Sequence, residues 1–280
     1  MKVILIHAHK NLALLNDLID VLSTENHAIY VNVDLKSTID VRNINKKARL
    51  VRRRIRVHWG KFSQVSATIN SLIEIDEREK NYEHVVFISG QDFPVVSNDV
   101  IDSYLVPGRE YIDNVAICEN GWAVNDRYEK YNFGYSRSRQ IIALLVNSIA
   151  AKTIEKRRMP SNYESYGGSQ WWMLTNECVK YILSFIRHNR RFVNFFRYVG
   201  YSDEIFFHTV VMNSTFKNNV VNRNFRYIDW TDSKDGSPKI LGVEDYENIV
   251  SSGNLFCRKV EYPYSAPLIE KLIENFNCYQ

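Results

Sequence analysis

Three short apolar runs limit what this chain can fold into. VILIH (residues 3–7), HAIYVNVD (27–34) and HVVFIS (84–89) are rich in β-branched and aromatic residues, and the first and last are largely apolar at consecutive positions. Strands of that kind must be covered on both faces. Between the first two lies NLALLNDLIDVLST (11–24), with apolar residues at 12, 14, 15, 18, 19 and 22, the period of an amphipathic helix. Before the third lies SQVSATINSLIEIDERE (63–79), a second helix with Ser63 as its expected N-cap. The alternation predicts an α/β fold with a mainly parallel central sheet flanked by helices.

In such a sheet, ligands bind beyond the carboxyl ends of the strands. His7 ends the first run, Asp34 ends the second, and Asp92 follows the third in HVVFISGQDFPV. An ionised carboxylate only accepts hydrogen bonds, so two of them suit the hydroxyls of a ribose or another sugar. Asp is equally a common capping residue of the turn after a strand, and position alone supports both readings.

The second half is more aromatic. YGGSQWWMLTNECVKYILSFI (166–186) opens on two glycines and two tryptophans and runs into a helix with Val179, Ile182, Leu183 and Ile186 facing inward. SDEIFFHTVVMNS (202–214) starts another helix with Ser202 or Asp203 as cap. NFRYIDW (224–230) reads as a short strand, and EDYENIVSSGNLFCRKV (244–260) as a helix, a Gly253 C-cap and a final strand. With no internal repeat and no low-complexity linker, the 280 residues are expected to form one domain.

Glu204 falls in the first turn of its helix, where a carboxylate either complements the helix dipole or serves as a general base. Lys239, Arg258 and Lys259 adjoin loop signals, where cations either meet a diphosphate or are merely solvated. Trp59, Trp171, Trp172 and Trp230 are candidate platforms for sugar rings, against the commoner fate of core packing.

Charge and cysteine usage narrow the classes further. Cys118, Cys178, Cys257 and Cys278 have no CxxC or Cys/His ligand spacing, which argues against a disulfide framework or a zinc site and favours a reducing compartment. The opening MKVILIHAHK is too short for a signal-peptide core. IIALLVNSIAA (141–151) is too short to span a bilayer. Arg137 and Arg139 precede it and Lys152, Lys156, Arg157 and Arg158 follow, which fits either a core helix with solvated ends or a helix on an anionic membrane surface. Residues 46–60 hold seven Lys or Arg and no acid within a formal net charge of +4. A nucleic-acid-binding role through 46–56 is therefore an alternative, although RRRIRVHW alternates like a strand. No GxGxxG, Walker, HExxH, GxSxG or Asp-x-Asp signature is present. Any electrostatic help for a diphosphate would have to come from side chains.

Taken in order, YVNVDLKS, RVHWGKFSQVSA, VVFISGQDFPV, GGSQWWMLTNECVKYIL, SDEIFFHTVVMNS, FRYIDW and GNLFCRKV resemble the core-2/I-branching β-1,6-N-acetylglucosaminyltransferase family, which includes peptide O-xylosyltransferases. The resemblance runs from residue 3 to about 261. It implies a GT-A-like fold, with residues 1–133 as the nucleotide-sugar-binding half and 134–280 as the acceptor-binding and catalytic half. It implies an inverting transferase that uses a UDP-sugar, most simply UDP-N-acetylglucosamine, and needs no metal or other cofactor. A UDP-xylose-dependent xylosyltransferase is the alternative within the family.

Carried over residue by residue, Glu204 is the expected base, and Lys259 the diphosphate-binding lysine, with Lys239 or its rival Arg226 as a second cation. Asp34 matches the family's nucleotide-contacting aspartate, although Asn32 replaces a histidine two residues earlier. Asp92 is expected to face the donor sugar or brace the site, and His7 to join the nucleotide-sugar residues. Trp230, with Trp171, is expected to line the acceptor site. A cytoplasmic enzyme is expected, working at the inner face of a membrane on a glycan or lipid-linked glycan, with no nucleic-acid partner.

Overall fold

A computed structural model describes residues 1–118, 120–133, 145–150, 155–231 and 236–277. The chain condenses into two compact units woven from alternate segments. One takes residues 1–52, 81–107 and 224–280, the other 53–80 and 108–223. Residue 133, the expected division between halves, lies inside the second unit.

The first unit carries the strands read from the sequence. β1 (Lys2–Ala8) pairs in parallel with β2 (His27–Val33), from Lys2 opposite His27 to Ala8 opposite Val33. β2 continues in parallel to β3 (Ala48–Leu50), and β1 pairs in parallel on its other side with β4 (His84–Ser89). Val3, Ile4, Leu5 and Ile6 are fully buried, as consecutive apolar residues in a sheet covered on both sides must be. α1 (Leu12–Leu22) buries Leu14, Leu15, Leu18, Ile19 and Leu22 along one stripe. The fold class is thus α/β with a mainly parallel central sheet flanked by helices, as expected.

A smaller sheet completes this unit. β5 (Asp92–Pro94) and β6 (Arg226–Ile228) flank β7 (Phe256–Arg258), β6 in parallel and β5 antiparallel. The antiparallel register sets Asp92 directly opposite Arg258. Gly253, at φ 64°, occupies the left-handed conformation expected just past its helix.

The second unit is built on aromatic packing. Its helix Phe62–Arg78 starts one residue earlier than expected, and Ser63 does not cap it; the Ser63 hydroxyl accepts instead from the His58 N–H at 2.8 Å. Trp172–Thr175 is a strand, and the expected helix, Asn176–His188, follows with Thr175 as its cap. The SDE segment, expected to open an α-helix, forms a separate 3₁₀ turn, Ser202–Glu204, before the helix Phe206–Met212. Phe192, Phe196, Phe206 and Phe207 are buried, and their edge-on and tilted contacts at 4.8–5.5 Å stitch these helices together.

The run 51–58 is not a strand. Arg49 lies over the Tyr30 ring and donates to its hydroxyl, and Arg53 pairs with Glu77. Part of the basic run is therefore spent on the protein's own groups. In the 141–151 run, residues 145–150 are helical with Leu145, Val146 and Ile149 exposed; Arg137, Arg139, Lys152 and Cys278 lie outside the described residues. Among the described residues no helix is long and apolar enough to cross a membrane.

Candidate active site

At the carboxyl ends of β1, β2 and β4, the first unit gathers charge. Asp92 is fully buried; it accepts from the Ser89 N–H at 3.1 Å, from Arg226 Nε at 3.2 Å and from Arg258 at 2.7 Å. Arg258 also donates to the Ser89 hydroxyl at 2.6 Å. The Arg226 side chain is wholly buried and donates to the carbonyls of Phe87 at 2.5 Å and Asn224 at 2.9 Å. Asp92 therefore braces the strand ends, and Arg226 is its buried internal partner.

Asp34 accepts from the Lys36 N–H at 2.8 Å and so closes the turn after β2, the capping role that its position allowed. His7 packs edge-on against Phe87, and burial pushes its imidazole down to about 3, so it is neutral near pH 7. Lys239 is paired with Asp245 at 2.7 Å, which raises its affinity for its proton. Lys259 differs from these: among the described residues its ammonium takes no hydrogen bond or ion pair, and burial, then the charge of Lys10, hold it below the ordinary lysine value. An ammonium in that state is the one most favoured by an arriving anion. Trp230 is 55% exposed beyond β6.

In the second unit, Glu204 ends the 3₁₀ turn with a partly exposed side chain, and its Oε2 accepts from Arg127 at 2.5 Å. The Arg127 guanidinium lies over both the Trp122 and Tyr201 rings, 4.6 Å from each centroid. Two aromatic faces and a carboxylate hold that cation in one orientation. Trp59, 68% exposed, meets the Tyr201 ring edge-on at 5.0 Å.

The paired glycines of YGG explain how the backbone closes around this group. A Cβ on Gly167 would lie 2.6 Å from Trp122 and 2.9 Å from the Glu204 carbonyl, so only glycine fits. The Gly168 N–H donates to that carbonyl at 3.0 Å. Beside Glu204, Asp203 is buried, and burial followed by the Glu204 charge pushes its carboxyl up to about 7. His208, also buried, donates from Nε2 to the Ser169 carbonyl at 2.9 Å, and burial lowers its imidazole to about 4.

The expected acceptor tryptophans part company. Trp171 is only 6% exposed, and Trp172 is fully buried; both pack in the core, whereas Trp230 and Trp59 remain accessible. Arg127 and Lys10 escape sequence reasoning because their partners, Glu204 and Glu261, lie 77 and 251 residues away. Among the described residues no group of three or more His, Cys, Asp or Glu is arranged to hold a metal ion.

Comparison with known proteins adds to this geometry. The chain is 25% identical over 218 residues to beta-glucuronosyltransferase GlcAT14B of Arabidopsis thaliana, covering 75% of this chain and 48% of that protein. It is 24% identical over 216 residues to human xylosyltransferase 1, covering 74% of this chain and 21% of that one. The chain thus spans half or less of the length of these curated relatives. A crystal structure of mouse xyloside xylosyltransferase 1 in its apo form aligns over 95% of this chain with a TM-score of 0.40 and 8% identity. The family described as "Branch: Core-2/I-Branching enzyme" matches residues 5–250, and the chain belongs to that family.

Proposed function

We propose that the protein is an inverting glycosyltransferase, moving a sugar from a UDP-sugar to a hydroxyl of a glycan acceptor with Glu204 as general base and without a metal. The observation that carries this reading is the Glu204–Arg127 pair: a partly exposed carboxylate held by a guanidinium between Trp122 and Tyr201. A base must be fixed within hydrogen-bond reach of the proton it takes, and this arrangement fixes one. Arg127 occupies Oε2, and Oε1 is the oxygen available to an acceptor hydroxyl.

In the reaction, the acceptor oxygen attacks the anomeric carbon, the bond from that carbon to the diphosphate oxygen breaks, and the acceptor proton passes to Glu204. One displacement inverts the anomeric centre. The leaving UDP gains negative charge, which in the absence of a metal must be met by preorganised cations. Lys259, which among the described residues takes no hydrogen bond or ion pair and is held below its ordinary value by burial, suits that role, with Arg258 fixed beside it. Asp92 is committed to two arginines, so its carboxylate could bind a metal only by giving up those pairs.

UDP-N-acetylglucosamine is the first donor to test. The names of the relatives, glucuronosyl- and xylosyltransferases, make UDP-glucuronic acid and UDP-xylose its competitors. Exposed Leu145, Val146 and Ile149 favour a lipid-linked acceptor at a cytoplasmic membrane face.

The test is product formation by wild type and Glu204→Gln with each donor in EDTA, alongside UDP titration. Turnover lost by about 10²–10⁴-fold with UDP binding retained supports the reading. Near-normal turnover in Glu204→Gln removes the assigned base.

A further inference from the structure

We propose that His9 and Lys10, in the loop between β1 and α1, complete a diphosphate-binding cluster with Arg258 and Lys259, and that His9 takes up a proton when the diphosphate binds. The inference rests on the UDP-sugar reading above and assigns that ligand a second wall.

The loop is pinned from two sides within its own unit. On one side, the Asp34 N–H donates to the Ala8 carbonyl at 3.0 Å and the Ser37 hydroxyl to the His9 carbonyl at 2.8 Å. On the other, Lys10 Nζ pairs with Glu261 at 2.7 Å and the Asn11 amide donates to the Tyr262 carbonyl at 3.4 Å. His9 therefore stands between the turn after β2 and the segment after β7, the segment that contains Lys259.

The charged groups that bear on its ring are Lys10 on its own loop, Arg258 and Lys259 on the β7 side, and Asp34 on the β2 side. Their balance is positive. Lys10 is matched by Glu261 and Asp34 by Lys36, and Arg226 with Arg258 outnumber Asp92 by one. Lys259 adds a further positive charge, and Glu261, which bears on both it and Lys10, can balance only one of them.

Partial burial, then Lys10 and Lys259, hold the His9 imidazole below its ordinary value, while Asp34 opposes them. Yet the residue is exposed, so the cations are the cause that a ligand would change. A diphosphate carries at least two negative charges. Set among these cations, it cancels the repulsion that keeps His9 neutral and itself attracts a proton to the ring, and the proton comes from solvent. The imidazolium then adds a charge-assisted donor to the site when a leaving diphosphate requires one.

The test titrates the full chain calorimetrically with UDP near neutral pH in buffers of low and high ionisation enthalpy, for wild type, His9→Asn and His9→Gln. The ligand's own protonation is common to all three, so the difference between wild type and variants isolates His9. Wild type is expected to take up more protons per UDP than either variant. The variants are also expected to bind UDP several-fold more weakly at mildly acidic than at mildly basic pH, relative to wild type. Equal proton counts in all three proteins, with UDP bound and melting temperatures unchanged, would overturn the proposal. Inorganic pyrophosphate is titrated in parallel. His9-dependent uptake with pyrophosphate but no binding of UDP would keep the cluster and sink the nucleotide reading. Failure to bind either ligand would overturn both.

Discussion

Removing the charge of Asp92 tests the central electrostatic feature of the first unit. The Asp92 and Arg226 side chains are both fully buried, with Nε 3.2 Å from the carboxylate, and Arg258 lies at 2.7 Å on the other oxygen. Asp92→Asn keeps the volume but leaves the Arg226 guanidinium in the core with no counter-charge, and turns an amide N–H₂ toward one of its two cationic partners. Breaking a buried pair from one side costs about 3–5 kcal/mol, and the lost charge-assisted bonds to Arg258 and the Ser89 N–H fall within that sum. Arg226→Met is expected to cost less, about 2–3 kcal/mol, because Asp92 keeps Arg258 and the Ser89 N–H while the buried cation is gone. The double variant should lose less than the sum of the two, by about 1–2 kcal/mol, since neither charge is then stranded. Urea unfolding of the four proteins measures all three quantities. High salt should leave them nearly unchanged, because the pair is out of reach of solvent ions. A loss under about 1 kcal/mol for Asp92→Asn, or strict additivity in the double variant, would refute the assignment of Asp92 as a structural counter-ion.

Arg127→Met is expected to lower kcat by about 10–100-fold with little change in UDP affinity, since Glu204 then loses the guanidinium that fixes its Oε2. Arg127→Lys should recover part of kcat, whereas an unchanged kcat in Arg127→Met would show the pair to be structural only. His7 and His208, lowered to about 3 and about 4, bind fewer protons folded than unfolded between about pH 4 and pH 6.5, so each adds stability as pH rises through that window, up to about 1.4 kcal/mol per pH unit. Asp203, raised to about 7, binds more protons folded than unfolded over the same range and subtracts a similar slope. His208→Gln should therefore flatten the rise in unfolding free energy between about pH 4 and pH 6.5, and Asp203→Asn should steepen it; denaturation at a series of pH values reads both, and unchanged slopes would contradict the burial of these groups.

The fold was legible where the chain is locally consistent. Val3 to Ile6 and His84 to Ser89 read as covered parallel strands because nothing but a two-sided core explains consecutive apolar residues. The errors came where tertiary contacts outweigh local preference. Ser63 has a capping side chain, but the neighbouring His58 N–H claims it. The SDE segment has helical composition, but Tyr201 ahead of it adopts a left-handed conformation at φ 49° and the chain turns before the α-helix begins. Trp171 and Trp172 stand in a glycine-rich context that resembles an open platform, yet the strand they enter is interior.

The site was legible by position and not by partnership. Asp92 was recognisable as a carboxylate delivered to a strand end, but its role depends on Arg226, 134 residues away. Glu204 was recognisable from its motif, but Arg127, which orients it, lies 77 residues earlier with no local signature. Pairings of this kind are set by sheet register and loop closure, which a single sequence does not encode in any short window.

One division of labour follows from the register. The antiparallel pairing of β5 with β7 ends with Asp92 against Arg258, and the next residue, Lys259, lies past the ladder, where its carbonyl accepts from the Leu241 N–H at 2.8 Å. Arg258 is thus held by a buried carboxylate, while the Lys259 ammonium takes no hydrogen bond or ion pair among the described residues and feels Glu261 only at a distance. A rigid guanidinium fork suits the first task, because it satisfies a fixed carboxylate and the Ser89 hydroxyl together. A compact charge on a flexible stem suits the second, since it can follow a phosphate whose position changes as the bond to the sugar breaks. Exchanging the two residue types would weaken both tasks. On the proposed reading, the carboxylate at Asp92 bears on anion binding indirectly: by committing Arg226 and Arg258, it leaves that task to Lys259.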